Sequence, residues 1–577
     1  MAIKDERLFG KLLVPVKKVT FQKGSFRLTD SFKPKIRLDK TIKNSDGYRI
    51  EILTTGIDIF AATNTGAYYA TQTLKDIAAI YGSKLPACKI EDEPDFKRRG
   101  VFLDCSRGKV PKISTLKDLV VHLAHWKINE LQLYIENVFA FKKHPDIGKG
   151  YSPFTPDEIL QLQKHCQKHH IRLVGSLASF GHMEKILALP KYQRLGELPD
   201  YRGFPGGTTL CPTNAGSIKL ISELYNEFVP LFKAKDFNVC CDETWELGEG
   251  KNKKLAQKIG KGRVYLDFLL KIYRLCKKYN KRMNLWADII LKYPELLKKM
   301  PKDIVLLNWE YEQDGKNIYR TKELAKTGIP FMVCPGTSGW LTGGSRLPNS
   351  MANITNFAAQ GRKFGAEGLL NTDWGDNGHR NFLGVSLHSF AHGAAQSWNG
   401  QKVDNKKFTE NFCSNFFGEH TGRLASIIRL LGSTYLTCGT KAANKSWLYF
   451  ALVEPVKNQP DSTINLMNEK GLRKIIKQFS DESIWPKLPR QKESFEKITF
   501  EELKLAGIMD YLSARRALAV KSLRTGENIK KTELQQISRQ MQKMAKDFKK
   551  LWLMRNKISR LKDNLRLFQQ ANKGFEK

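Results

Sequence analysis

Eight apolar segments that alternate with helical patterns occupy about 300 residues of the chain from Arg99 onward. The segments lack the apolar-polar alternation of half-exposed strands, which is typical of parallel strands buried on both faces. The strand candidates are GVFLDC, INELQLYIEN, IRLVGSLASF, FNVCCDE, RMNLWADII, DIVLLNWEYE, PFMVCPGTSGW and AEGLLNTDWGD. This count and spacing predict an α/β fold with a closed (β/α)8 barrel, and a doubly wound parallel sheet is the competing architecture.

The segments on either side of this region have different patterns. Residues 1–95 combine short strand patterns with the amphipathic helix GAYYATQTLKDIAAIYG, and they predict a small α/β domain followed by the linker IEDEPDFKRRG. Residues 96–400 hold the barrel, and residues 401–577 predict a helical C-terminal region. One face of a long helical stretch carries Leu534, Ile537, Met541, Met544 and Phe548. Such a stripe usually packs into a core, and a partner-binding or membrane-surface helix is the alternative.

The net charge of +38 is the unusual bulk property of the chain. It could indicate a nucleic acid, an anionic membrane surface or an acidic glycan. Lysines are spread along the whole chain, however, and no basic motif with interleaved aromatics is present, which favours a lysine-rich solvated surface and no specific nucleic-acid partner. The sequence predicts no membrane span and no secretory signal, so a cytoplasmic protein is expected. The oligomeric state is not indicated.

Ten cysteines are ordinary usage for 577 residues, and no CxxC pair occurs. A zinc site or a thioredoxin-type site is therefore not predicted. Cys240 and Cys241 are adjacent, which suits small buried residues better than a disulfide. Gly-rich phosphate loops, the GxSxG elbow and HExxH are also absent from the sequence. We expect no cofactor and no metal.

Polar and aromatic residues recur where the predicted strands end. In a barrel, the carboxyl ends of the strands and the loops after them form the active face. Carboxylates, an arginine and tryptophans on one rim suit a sugar, because aromatic rings contact the faces of the sugar ring and charged groups bind its hydroxyls. The candidates are Arg107, Glu136, His182, Asp242, Glu243, Trp286, Trp309, Tyr311, Trp340, Trp374 and Asp376.

Asp242 and Glu243 are adjacent at the end of the fourth strand candidate. Glycoside hydrolysis usually needs two carboxyl groups that flank the bond. Neighbouring side chains on an extended strand diverge, so we expect that these two do not face each other across the anomeric carbon. A mechanism in which the 2-acetamido oxygen of the sugar is the nucleophile tolerates this divergence.

These features resemble glycoside hydrolase family 20, the β-N-acetylhexosaminidases, over roughly residues 10–400. GYRIEI, GAYYATQTL and LPACKIEDEPDFKRRGVFLDCSR are similar to the small domain of that family and its junction with strand one. LNTDWGDNG is similar to the strand-eight motif, and the Asp-Glu pair follows strand four. LYIENVFAF is closer to the stretch of the hexosaminidase-D-like branch than to the acidic motif of many members.

The resemblance implies a role for each candidate. Glu243 would be the general acid and then the base, and Asp242 would hold the acetamide N–H. Arg107 and Asp376 would bind ring hydroxyls, Tyr311 the acetamide carbonyl, and His182 would support the acidic pair. The remaining candidates would contact the sugar: Glu136, Trp286, Trp309, Trp340 and Trp374.

The expected function is a retaining exo-β-N-acetylhexosaminidase that acts on glycans with a terminal N-acetylglucosamine or N-acetylgalactosamine, through an oxazolinium intermediate. A hydrolase specialised for acidic or sulfated amino-sugar glycans is one alternative. The other is a carbohydrate-binding pseudoenzyme, against which the presence of both Asp242 and Glu243 argues.

Overall fold

The computed structural model describes residues 9–455, 461–488, 494–527 and 529–575. It begins with a five-stranded sheet, in the order β1-β5-β3-β4-β2, against which one helix packs. The strands are β1 (Lys18–Arg27), β2 (Lys35–Leu38), β3 (Tyr48–Leu53), β4 (Gly56–Ala61) and β5 (Lys84–Asp92), and the helix is α1 (Asn64–Tyr81). The small N-terminal α/β domain is confirmed.

Two features of this sheet differ from the sequence analysis. β2 was not predicted, because its four residues are exposed and carry no buried apolar pattern. The predicted linker is too long, because Ile90–Asp92 pair with β1 and β3 and therefore belong to β5. The connection to the next strand consists of residues 93–97.

Eight parallel strands then form a closed barrel in chain order, so the predicted (β/α)8 barrel is confirmed and the doubly wound sheet is wrong. All but one of the strands have four or more buried residues, in agreement with their continuous apolar character. The strands are β6 (Arg98–Asp104), β7 (Glu130–Ile135), β8 (Arg172–Leu177), β11 (Asp236–Asn238), β12 (Arg282–Trp286), β13 (Val305–Trp309), β14 (Phe331–Cys334) and β15 (Gly368–Asp373), with a hairpin of β9 (Asp200–Tyr201) and β10 (Phe204–Pro205) between β8 and β11.

Helices connect the barrel strands. Thr155 caps one of them with a capping box, and Gly365 ends another in the left-handed conformation. The helices are α2 (Ile113–His125), α3 (Pro156–Lys168), α4 (Glu184–Leu187), α5 (Ala215–Phe228), α6 (Lys253–Ile259), α7 (Lys261–Lys278), α8 (Lys316–Tyr319), α9 (Thr321–Ala325), α10 (Leu347–Phe364) and α11 (Leu383–Asn399).

The C-terminal region is helical, as predicted. Its helices are α12 (Phe408–Phe412), α13 (Arg423–Gly432), α14 (Thr434–Thr437), α15 (Trp447–Val453), α16 (Asp461–Leu466), α17 (Glu469–Phe479), α18 (Phe495–Thr525), α19 (Lys531–Arg555) and α20 (Leu561–Asn572). The apolar stripe on α19 is buried from Ile537 to Phe548, so it belongs to a core within the chain. No helix in the described part of the chain has the length and apolar character needed to cross a bilayer.

An ion network closes the amino ends of the barrel strands. Arg98, the first residue of β6, donates to both carboxylate oxygens of Glu130 at 2.8 and 2.9 Å and to Asp236 at 3.2 Å. Arg172 and Arg282 bind the same carboxylates from the neighbouring strands. Because this network fills the amino end, the opposite end of the barrel is where an open site can form.

Candidate active site

Two adjoining cavities lie at the carboxyl ends of the barrel strands. The inner cavity has a volume of about 100 Å³, and the outer cavity, which opens from it, has about 540 Å³. Both are lined by Arg107, His182, Glu243 and Asp376, so these four residues mark the boundary between them. The loops after several different strands supply this lining, as expected for the active face of a barrel.

Ten of the eleven candidates from the sequence line the inner cavity. They are Arg107, His182, Asp242, Glu243, Trp286, Trp309, Tyr311, Trp340, Trp374 and Asp376. Glu136 is the exception, because it lies behind Arg107 with only 1% of its surface exposed. Lys185, which lines the outer cavity, forms an ion pair with Glu136. Glu136 is thus positioned to hold Arg107 and Lys185, and it is not part of the cavity wall.

The acidic pair follows a strand that is shorter than predicted. β11 ends at Asn238, and Cys240, Cys241 and Glu243 have positive φ angles of 60°, 62° and 48°. The expected divergence of Asp242 and Glu243 is therefore wrong. Their carboxylates lie 3.2 and 3.3 Å from the same atom, Nε2 of His182.

His182 itself has a positive φ of 57°. Burial disfavours its imidazolium form, but the Asp242 and Glu243 carboxylates outweigh burial and raise the pKa of His182 well above 6.5. A protonated His182 attracts both carboxylates and holds them together. His182, Asp242 and Glu243 also have donor atoms close enough for a metal, as do Glu136, His182 and Glu184.

The two carboxylates differ in exposure. The side chain of Asp242 is 9% exposed and lines only the inner cavity, whereas that of Glu243 is 31% exposed and lines both cavities. Glu243 therefore stands at the boundary, and Asp242 stands within the inner cavity.

Arg107 is held by charges and rings. Its guanidinium donates to Asp104 Oδ2 at 3.0 Å and lies 3.6 Å from Glu136 and 3.8 Å from Asp376. The rings of Tyr134 and Trp374 flank it at 5.1 and 4.9 Å from their centroids. Five interactions thus fix the orientation of this one cation.

An aromatic wall forms the rest of the inner cavity. Tyr311 stacks on Trp309 with centroids 5.1 Å apart and meets Trp340 edge-on at 5.2 Å. Trp286 and Trp374 lie 5.9 Å apart. The Trp374 Nε1–H donates to the Tyr311 hydroxyl oxygen at 2.8 Å, which leaves the hydroxyl proton of Tyr311 for another acceptor.

Three features of the site lie outside the eleven candidates from the sequence. Asp288 follows β12 and accepts a hydrogen bond from the Glu243 backbone at 3.3 Å. Asn444 comes from the C-terminal region and lines the inner cavity. The outer cavity includes Trp245, 46% exposed, and Arg560 from the start of α20. Asp288 stands at the end of the fifth predicted strand without a role assigned to it, and Trp245 lies two residues after Glu243, whereas Asn444 and Arg560 carried no sequence signal.

Two sequence profiles match the chain. The profile of glycosyl hydrolase family 20, catalytic domain, matches residues 96–410, which is more than half of the 577 residues. The profile of glycosyl hydrolase family 20, domain 2, matches residues 2–93.

Among individual relatives, the lacto-N-biosidase of Bifidobacterium bifidum is 24% identical over 333 residues, 54% of this chain and 28% of that protein. Human hexosaminidase D is 23% identical over 308 residues, 50% of this chain and 62% of that protein. The alignments therefore span less than two thirds of either relative.

Solved structures share the fold. The chitobiase of Flavobacterium johnsoniae superposes with a TM-score of 0.60 at 18% identity, over 94% of this chain and 99% of that one. The exo-β-N-acetylglucosaminidase of Vibrio harveyi, in complex with N-acetylglucosamine, gives 0.59 at 16% identity, over 73% of this chain and 78% of that one. The first match includes the C-terminal helical region.

Proposed function

The chain belongs to glycosyl hydrolase family 20, and from that premise we propose that it is a retaining exo-β-N-acetylhexosaminidase. The observation that carries the proposal is the position of the acidic pair relative to the two cavities. Glu243 lines both cavities and Asp242 lines only the inner one. A glycosidic oxygen joins the sugar that is released to the rest of the glycan, so it would lie at the boundary where Glu243 stands.

The inner cavity suits a single terminal sugar. Its walls are aromatic, and besides His182 and the acidic pair it is lined by the charged groups of Arg107 and Asp376 at the boundary. Aromatic rings cover the apolar faces of a pyranose, and a guanidinium and a carboxylate bind its hydroxyls. The volume of about 100 Å³ and the aromatic walls support removal of one residue from a glycan end.

In the first step, the acetamide oxygen of the bound sugar attacks the anomeric carbon while Glu243 gives its proton to the leaving glycosidic oxygen. Asp242 accepts a hydrogen bond from the acetamide N–H and stabilises the positive charge of the oxazolinium ring. The Tyr311 hydroxyl donates to the acetamide oxygen, because Trp374 already occupies one of its acceptor positions. The bond to the aglycone breaks and the cyclic intermediate remains in the inner cavity.

In the second step, Glu243 takes a proton from a water molecule that attacks the same anomeric carbon. The carbon–oxygen bond of the oxazolinium ring breaks, the acetamide is restored, and the sugar leaves with its original anomeric configuration. One carboxyl group thus serves as acid and then as base. His182, which contacts both carboxylates, keeps Glu243 and Asp242 in register through both steps.

The test measures release of nitrophenol from an aryl β-N-acetylglucosaminide by the wild type, D242N and E243Q. We expect each variant to lose about 10²–10⁴-fold in kcat, the usual contribution of a positioned acid or base. E249Q, at a 61% exposed carboxylate beyond the same strand, is the control and should keep wild-type kcat. The product released first should be the β-anomer by proton NMR.

Leaving-group chemistry separates a catalytic acid from a structural carboxylate. E243Q should lose less activity on a dinitrophenyl glycoside than on a nitrophenyl one, because the better leaving group needs less protonation. D242N should lose activity equally on both. The proposal would be contradicted if the wild type cleaved none of the gluco, galacto and 6-sulfated aryl glycosides. That result would favour a protein that only binds carbohydrate.

A further inference from the structure

The outer cavity reaches from its boundary with the inner cavity to the C-terminal region. Its volume of about 540 Å³ is several times that of the inner cavity. Part of its lining comes from the loop after β15, including Arg380, and part from the start of α20, including Arg560 and Asn564. A glycan that places its terminal sugar in the inner cavity would extend its next sugar into this space.

The C-terminal part of the lining is fixed to the barrel. The Ser559 hydroxyl lies 2.9 Å from the Gly108 carbonyl oxygen and 3.0 Å from that of Tyr151. The Asn564 amide donates to the Gly378 carbonyl at 3.3 Å, and the Lys557 backbone N–H donates to Val110 at 2.8 Å. These partners lie in the loops after β6, β7 and β15. The start of α20 is therefore a built wall of the cavity.

The lining of the outer cavity includes Arg380 and Arg560, and within the described residues Arg560 has a salt-bridge partner and Arg380 has none. Arg380 donates to the Asn377 carbonyl and the Tyr449 hydroxyl, and within the described residues it forms no salt bridge. Its Nε is buried and has no hydrogen-bond partner there. Arg560 lies over the Tyr151 ring, 5.0 Å from the centroid, and pairs with the half-exposed Asp563. A guanidinium with neutral partners beside a cavity favours an anion in that cavity.

Exposed aromatic rings line the same cavity. Trp245 is 46% exposed and Phe204 is 45% exposed, and both contribute to the lining. Large rings that remain in solvent at the mouth of a site provide an apolar surface for a ligand. The outer cavity thus offers both groups that an acidic sugar needs, a ring face and a guanidinium.

We propose that the outer cavity is an aglycone subsite for an anionic sugar, in which Arg380 and Arg560 bind a carboxylate or sulfate on the residue next to the cleaved N-acetylhexosamine. This inference rests on the proposed function. It assigns the C-terminal helical region a direct part in substrate selection.

The experiment compares three disaccharides with the same linkage. N-acetylglucosamine is joined β-1,4 to glucuronic acid, to glucose or to glucose 6-sulfate, so the first two differ only in a carboxylate against a hydroxymethyl group. We expect the wild type to have at least about 10-fold higher kcat/KM on one or both anionic substrates than on the neutral one. The reason is that charge-assisted hydrogen bonds to the anion add binding free energy that the neutral substrate lacks. The ratio should fall as sodium chloride is raised from 0.05 to about 0.5 M.

R380Q and R560Q should each reduce the anionic-to-neutral ratio, by about 5-fold or more, because each removes one charged partner. R473Q changes an arginine whose side chain is 71% exposed on α17, and it should leave the ratio unchanged. The relative rates on the carboxylated and sulfated substrates identify which anion the subsite takes.

An aryl β-N-acetylglucosaminide assayed in parallel separates the two proposals. If the wild type cleaves the aryl glycoside but has the same kcat/KM on the neutral and both anionic disaccharides, only the aglycone inference is wrong. A ratio that R380Q and R560Q both leave unchanged would also overturn it. If none of the substrates is cleaved, the proposed function fails and the inference fails with it.

Discussion

Asp288 is a partly buried carboxyl group beside the carboxylates of Asp242 and Glu243. Its Oδ2 accepts the Glu243 backbone N–H at 3.3 Å, and its Oδ1 is buried without a partner among the described residues. Burial, and then the charge of Asp242, raise the pKa of Asp288 from 3.8 to about 7. Asp288 is therefore a neutral acid at mildly acidic pH, and it supports the backbone of Glu243 without adding a third negative charge.

This pKa predicts how D288N changes stability with pH. The pKa of Asp288 is higher in the folded state than in the unfolded state. Its contribution to stability is therefore fully present below about pH 4 and is lost as the pH rises through about 7. Asparagine does not titrate and still accepts the Glu243 N–H. Relative to the wild type, D288N should gain about 1.4 kcal/mol of unfolding free energy per pH unit across this interval. Urea unfolding at pH 4.5, 6 and 8 measures the difference in unfolding free energy between D288N and the wild type. A difference that does not change with pH would contradict the prediction.

At the residue scale, the chemical types of the site were predictable and their exact contacts were not. Asp242, Glu243 and the four tryptophans were recognisable because they follow apolar strand segments. The convergence of the Asp242 and Glu243 carboxylates on His182 depends on positive φ angles at Cys240, Cys241 and Glu243. None of these is a glycine, so the local sequence carries no signal for a left-handed backbone. Tertiary packing imposes that conformation.

At the scale of elements, the barrel strands have different chemistry at their two ends. Apolar segments predicted all eight strands because both faces of each are buried. The ion network at their amino ends was not predicted, because Arg98, Glu130 and Asp236 are far apart in the chain and join only when the barrel closes. The same closure brings the polar residues of the carboxyl ends into one site.

E130Q tests the contribution of that network. Glu130 is fully buried and binds Arg98 and Arg172, which outweigh burial and lower the pKa of Glu130 to about 2. Glutamine would leave Arg98 buried with less compensating charge, so we expect a loss of about 3–5 kcal/mol in unfolding free energy at pH 7. E469Q, at a 56% exposed surface pair, should change it by less than about 0.5 kcal/mol.

The difference between wild type and E130Q should also depend on pH. Because the folded pKa is depressed, the stabilisation by Glu130 is present above its ordinary value of 4.5 and is lost as the pH falls through about 2. Chemical unfolding at pH 7 and pH 3 gives both values. An equally large difference at the two pH values would mean that the loss comes from packing and not from charge.

At the scale of the whole molecule, the C-terminal region contributes to both cavities at the carboxyl ends of the barrel strands. Helix α11 is buried along its entire length, and α18 packs against it. Asn444 reaches the inner cavity and Arg560 the outer one. The sequence predicted that this region is helical and packed on the barrel, but it could not indicate these contacts, because residues so distant in the chain meet only through the tertiary fold. We propose 1–95, 96–400 and 401–577 as structural divisions that do not function separately.

A chain that ends at residue 400 should therefore be insoluble or aggregated. Removal of residues 401–577 would expose α11 and the buried face of the barrel helices to water, where a contiguous apolar surface promotes association. Expression of residues 1–400 and of the full chain, compared by size-exclusion chromatography, measures this. A monodisperse 1–400 fragment that cleaves the aryl glycoside would show that the C-terminal region is dispensable for folding and for the inner cavity.

The net charge of +38 makes a separate prediction about nucleic acid. Because 96 lysines and arginines face 58 aspartates and glutamates, the whole surface attracts polyanions at low ionic strength. Nonspecific binding of this kind releases counterions and weakens steeply with salt. We expect retention on immobilised duplex DNA at 50 mM sodium chloride, loss of retention by about 0.5 M, and equal binding of unrelated sequences. DNA binding that survives 0.5 M salt, or that prefers one sequence, would instead indicate a dedicated nucleic-acid site. Competition of an acidic glycan with the DNA at low salt would fit a surface that concentrates anionic substrates near the outer cavity.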